Sequence, residues 1–215
     1  MSPGARARAG RLAFDPEEAV RHLGTRDARL RRLIARVGGF TLRPEPTQSL
    51  FQALARSIVY QQLAGRAAAT IHGRVQALFP DGRLEPAALL ALPDESLRGA
   101  GLSAAKLAAL QDLARKTLDG TVPTMPRLRR LDDEEIIERL TTVRGIGRWT
   151  VEMLLMFRLG RPDVLPLGDL GVRKGFQLTY GLDELPTPDE LRERAERWRP
   201  YRSVGSWYMW RATEL

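Results

Sequence analysis

One glycine pair and one carboxylate hold most of the chemistry that this 215-residue sequence offers. In "VRGIGRW", Gly145 and Gly147 flank Ile146, with apolar, helix-capable sequence on both sides. Glycine accepts a positive φ and lets another backbone come close. A helix that starts behind such a turn presents its first N–H groups and the positive end of its dipole, a combination that suits a phosphate. The same residues also make an ordinary αα-corner with glycines for packing. Asp169 stands 22 residues after Gly147 in "VLPLGDLGVRKGF", behind a Pro-Gly loop and ahead of an apolar helix. By type it is a helix N-cap. As a carboxylate it could also stabilise developing positive charge, or orient and deprotonate a water.

Several other chemistries are excluded or unsupported. The chain has no cysteine, so thiolate nucleophiles, disulfides, zinc-cysteine sites and iron–sulfur clusters are ruled out. His22 and His72 lie far apart with no ligand motif around either, and nothing suggests a Ser-His-Asp arrangement. The acids of "DDEEIIERL" could be metal ligands, but no further acidic cluster completes a site, and a helix dipole explains them better. No apolar run approaches the roughly 20 residues of a membrane span. A net charge of +8 suits a polyanionic partner, although a GC-rich genome that writes Arg for Lys gives the same balance. The basic start, "MSPGARARAGRLAF", lacks the apolar centre of a signal peptide and reads as a flexible arm.

The elements that must position these residues are helices. "DPEEAVRHLG" opens with Asp-Pro and acids. "DARLRRLIARVGG" carries Leu30, Leu33, Ile34 and Val37 at helical spacing and ends in glycines. "FTLRPEPT" breaks the pattern as a linker or short extended piece. "QSLFQALARSIVYQQ", "AAATIHGRVQALF" and "SAAKLAALQDLARKTLDG", capped at Ser103, resume it. Four more helical stretches follow the hairpin, and no strand pattern or solenoid repeat appears. The expected class is all-α, in two helical lobes with a ligand-binding cleft between them.

Together these segments closely resemble the helix-hairpin-helix, Gly/Pro-rich-loop, aspartate superfamily of base-excision DNA glycosylases. The nearest branch is 3-methyladenine DNA glycosylase II. "SIVYQQLAGRAAATIHGRV", "GLSAAKLAALQDLA", "VRGIGRWTVEMLL", "VLPLGDLGVRKGF" and "WRPYRSVGSWYMWR" match it in order, from about residue 45 to residue 212. The chain is short for the bacterial enzyme that typifies the branch, whose N-terminal α/β subdomain has no counterpart in the first 45 residues. The expected lobes are 1–48 with 163–215, and 49–162 ending in the hairpin.

The resemblance implies a glycosylase that flips an alkylated base out of duplex DNA and hydrolyses its N-glycosidic bond with the help of Asp169. It places Gly145, Gly147 and Thr150 on a DNA phosphate. It offers the carbonyls of Thr141, Val143 and Ile146 to a monovalent cation, Na+ or K+, and requires no cofactor. Trp149 stands where strand-cleaving members carry a Schiff-base lysine, which implies a monofunctional enzyme. Trp149 and Trp210 match aromatics that line the base pocket, whose indole faces suit a cationic base. Both could instead fill the core. Met153 replaces a tyrosine of some relatives. The duplex wedge falls at Gln62 by spacing, and its neighbour Leu63 is the more usual chemical type. Two alternatives stand beside this expectation: a non-catalytic DNA-binding module, and a glycosylase for deaminated or oxidised bases. The implied partner is damaged double-stranded DNA, met by a monomer in the nucleoid-associated cytoplasm of a bacterium.

Overall fold

A computed structural model describes residues 12–46 and 49–215; most of the basic segment read above as an arm lies outside the described residues. The expected all-α class is what the structure shows, with thirteen α-helices and no strand among the described residues. They are α1 (Pro16–Arg26), α2 (Ala28–Val37), α3 (Leu50–Tyr60), α4 (Gly65–Gln76), α5 (Pro86–Ala91), α6 (Asp94–Gly99) and α7 (Ala104–Leu118). After these come α8 (Met125–Leu128), α9 (Asp133–Thr141), α10 (Arg148–Leu154), α11 (Leu170–Tyr180), α12 (Pro188–Ala195) and α13 (Arg202–Ala212). A π-helical turn, Leu155–Leu159, prolongs α10 to Gly160, which ends it with a left-handed backbone. None of the described helices is long and apolar enough to cross a membrane.

Helix starts follow the local chemistry. Asp15 accepts the N–H of Glu17 at 2.9 Å, and Ser103 accepts that of Lys106 at 3.3 Å. The acids before α9 form a reciprocal capping box, in which Asp132 accepts the Glu135 N–H at 2.8 Å and Glu135 accepts the Asp132 N–H at 3.3 Å.

The chain divides into two compact units, Met1–Pro46 with Glu152–Leu215, and Thr47–Val151. The second division falls inside α10, whereas the expected boundary was 162/163. The apolar pattern runs unbroken through residues 148–159, and nothing in it marks the point where one helix passes from one core to another.

In the first unit, Leu23, Leu30, Phe176, Trp198, Val204 and Tyr208 are buried in one core. Its helices α11 and α13 pack at backbone distance: a Cβ added to Gly175 would lie 1.8 Å from the Met209 carbonyl oxygen. The buried carboxylate of Asp27 accepts bonds from the Tyr180 hydroxyl, the Trp198 indole at 3.3 Å, and the Arg29 and Leu30 amides at 3.0 Å. Burial alone would raise its pKa, but these bonds outweigh it and hold the carboxyl below its usual range. In the second unit α3 and α5 pack on α7, burying Leu54, Ile58, Leu89, Leu110 and Leu113.

Candidate active site

The hairpin belongs to the unit Thr47–Val151. Val143 and Ile146 are buried and pin it to that unit's core, while Gly145 and Gly147 are exposed. Ile146 N–H closes the turn on the Val143 carbonyl at 3.0 Å. Gly145 has φ +78°, a left-handed backbone that favours glycine. Gly147 has no such φ, and a Cβ there would meet nothing within 4 Å. Only one of the two glycines is therefore demanded by backbone conformation. The first i→i−4 bond of α10 runs from the Val151 N–H to the Gly147 carbonyl at 3.3 Å, so the earlier amides, Thr150 included, lie outside its ladder. Trp149, in the first turn, is 50% exposed. Gln61, at the end of α3, donates its side-chain N–H to the Gly145 carbonyl at 2.8 Å, joining the hairpin to the turn that carries Gln62 and Leu63. Both of those residues are exposed, and Gln62 has φ +56°.

Asp169, Trp210 and Met153 belong to the other unit. Asp169 caps α11, its Oδ1 accepting the Val172 N–H at 2.8 Å. The same oxygen accepts the Trp210 indole N–H at 2.8 Å, and Oδ2 takes neither of these bonds. The two bonds fix the plane of the carboxylate. Trp210 is itself held by a stacked contact with Phe157, with centroids 5.6 Å apart and planes at 24°. The indole reaches Asp169 because residue 171 is glycine: a Cβ there would stand 2.9 Å from Trp210 Cδ1 and 3.1 Å from Asp169 Oδ1. Trp210 thus has a carboxylate partner and a covered face that its expected place in a base pocket did not include. Phe157 and Gly171 were not singled out in the sequence, and the stacking of one ring on another 53 positions away leaves no local pattern. Met153 is half-buried in this unit. Arg173, beside Asp169 in sequence, donates its Nε to the Pro186 carbonyl at 2.8 Å.

The glycine hairpin thus lies in one helical unit, and the anchored aspartate behind its Pro-Gly loop lies in the other. The model of the HhH-GPD superfamily of base excision DNA repair proteins matches residues 55–200, and the chain belongs to that superfamily. Among curated relatives it is 36% identical over 200 residues to DNA-3-methyladenine glycosylase 1 of Schizosaccharomyces pombe, covering 90% of this chain and 86% of that protein. It is 30% identical to DNA-3-methyladenine glycosylase 2 of Escherichia coli, covering 74% of this chain and 56% of that longer protein. Among solved structures, the S. pombe 3-methyladenine DNA glycosylase in complex with abasic DNA superposes with a TM-score of 0.81 at 36% identity, over 92% of this chain and 97% of that one. A DNA-3-methyladenine glycosidase from Bacillus halodurans superposes with a TM-score of 0.83 at 35% identity, over 96% and 92% of the two chains.

Proposed function

We propose that this chain is a monofunctional DNA glycosylase that removes alkylated, 3-methyladenine-type bases from duplex DNA. The observation that carries this reading is the anchored carboxylate of Asp169, in a chain that belongs to a base-excision family. Once the damaged nucleotide is flipped out, its N-glycosidic bond lengthens and positive charge gathers on the sugar. A preorganised carboxylate stabilises that charge and can take the proton of the attacking water. A base alkylated on a ring nitrogen is already cationic and leaves without a general acid, so a second acid is not needed. The exposed indole of Trp149 offers the kind of face a cationic base favours.

The hairpin would hold a backbone phosphate through Gly145, Gly147 and Thr150, contacts that position DNA without reading sequence. The carbonyls of Thr141, Val143 and Ile146 are neutral oxygen donors, a set that fits Na+ or K+ better than a divalent ion. Val143 would use the lone pair not given to Ile146. A cation there would add positive charge beside the phosphate, and the reaction itself would need no cofactor. The setting that this reading implies is the bacterial nucleoid, with the enzyme acting as a monomer.

A panel of duplexes, each with one methylated, ethenylated, deaminated or oxidised base, tests the reading by chromatography of the released base. Methylated purine should appear as free base. Release from the oxidised or deaminated duplexes alone would move the substrate class, and release from none would leave a DNA-binding module. Borohydride should trap no covalent complex, because Trp149 has no amine for a Schiff base. A strong trap would overturn the monofunctional assignment. Affinity for duplex DNA should fall steeply as salt rises, with a log–log slope of about −0.9 per phosphate contacted, and a flat response would remove DNA as the partner.

A further inference from the structure

Of the 34 lysines and arginines only three are lysine, Lys106, Lys116 and Lys174, and two of these lie on α7. Lys106 Nζ donates to the carbonyls of Val59 at 2.7 Å and Gln61 at 2.9 Å, at the end of α3. Lys116 Nζ donates to the Thr142 carbonyl in the hairpin and pairs with Asp112 Oδ2 at 2.9 Å. The same Asp112 oxygen accepts the Arg144 N–H of the hairpin at 2.8 Å. Ala109 lies between them, and a Cβ on Gly145 would stand 3.3 Å from its own Cβ. Positions 106, 109, 112 and 116 share one face of a helix. That face of α7 therefore touches the turn after α3 at one end and the hairpin at the other, about 15 Å along.

The residue types fit the task. A lysine ammonium is a compact charge with three donors and can sit between two carbonyls, which a planar guanidinium fork is poorly shaped to do. Burial lowers the pKa of Lys106, as expected for an ammonium that has exchanged water for main-chain oxygens. Gln61 closes the frame through its bond to Gly145. The next residue, Gln62, is the one non-glycine with a positive φ among the described residues. A left-handed backbone is unfavourable for such a residue and persists where its surroundings fix it.

We propose that α7 acts as a spacer that sets the 61–64 turn against the hairpin, with Gln61 and Lys106 as positioning residues for extrusion of the target base. The inference rests on the glycosylase reading, in which the turn fills the stack while the hairpin holds the backbone. Two contacts on one duplex must keep a fixed separation, and a misplacement of about 1 Å can cost roughly a hundredfold in rate.

Gln61→Met keeps the length and removes the donor without adding charge; Lys106→Met keeps the stem and removes the ammonium. The readout is a duplex with 2-aminopurine next to a methylated base, followed by fluorescence for extrusion and by single-turnover base release. Both variants should lower the fluorescence change and the release rate by about tenfold, a partial misplacement. Affinity for undamaged duplex should stay within about twofold, with the salt slope unchanged. Wild-type fluorescence and rate in both variants would overturn the proposal. So would a salt slope shallower by about 0.9 in Lys106→Met, which would make Lys106 a phosphate contact. Should Lys106→Met fail to fold, Gln61→Met decides alone, since the bond it removes lies at the surface. A wild-type protein that binds DNA but releases no base from any duplex would remove the glycosylase reading and this inference with it.

Discussion

Asp169→Asn should stay folded, bind lesion duplex within a small factor of wild type, and release methylated base at least about a hundredfold more slowly. Oδ1 of the carboxylate accepts from Val172 and from Trp210. An asparagine keeps a carbonyl oxygen there for both donors, and it caps a helix about as well as aspartate does. These two contacts of the fold are therefore kept. What disappears is the negative charge beside the sugar and any basicity toward water. Loss of one preorganised electrostatic group in a comparable site costs roughly 10²–10³ in rate, or about 3–4 kcal/mol. Single-turnover release on a methylated duplex, together with a melting curve, checks both halves. Full activity in the variant would take Asp169 out of the chemistry. Unfolding would show that its main task is to cap α11.

Gly175→Ala should be the most damaging glycine-to-alanine change among the described residues. The new Cβ would sit 1.8 Å from the Met209 carbonyl oxygen and 2.5 Å from its carbon, and both belong to backbone that cannot turn aside. Helices α11 and α13 would have to separate. Overpacking of this kind costs about 1–3 kcal/mol and sometimes more, and a contact with backbone on both sides belongs at the upper end. For a chain of this size about 3 kcal/mol lowers the melting temperature by roughly 6–12 °C. Base release should fall as well, because α13 brings Trp210 to Asp169. Gly73→Ala is the control. Gly73 lies within α4, where a Cβ meets nothing within 4 Å, and the same substitution should stabilise by roughly 0.5–1 kcal/mol. Melting curves of opposite sign are expected; equal curves would show that α11 and α13 do not pack as closely as described.

What could be read from the sequence was whatever is written within one or two turns of chain. The starts at Asp15 and Ser103, the acids at the start of α9, the hairpin around Ile146 and the place of Asp169 before α11 are all local patterns. The contacts that make those residues work are not local. Trp210 meets Asp169 across 41 positions, and Gln61 meets Gly145 across 84. Neither pairing has a period or a motif. The short helices α5, α6 and α8 escaped notice because four to six residues are too few to show a helical repeat. Gly145 and Gly147 are the same letter in the sequence, yet only Gly145 has the positive φ. Nothing in the sequence around Lys106 and Lys116 marks their carbonyl partners, which appear only once α3, α7 and the hairpin are assembled.

The backbone at Gln62 has a consequence for how this protein would change under selection. Its left-handed conformation is a standing load of roughly 1–2 kcal/mol, which asparagine would bear more lightly. A population screened for heat resistance alone should drift toward asparagine at this position, since one step there recovers stability without disturbing any core. Under the proposed role of the 61–64 turn in filling the stack, a population that must also repair its DNA should keep a side chain long enough to enter the helix. The residue found at position 62 after such a screen would therefore record which of the two pressures the population had felt.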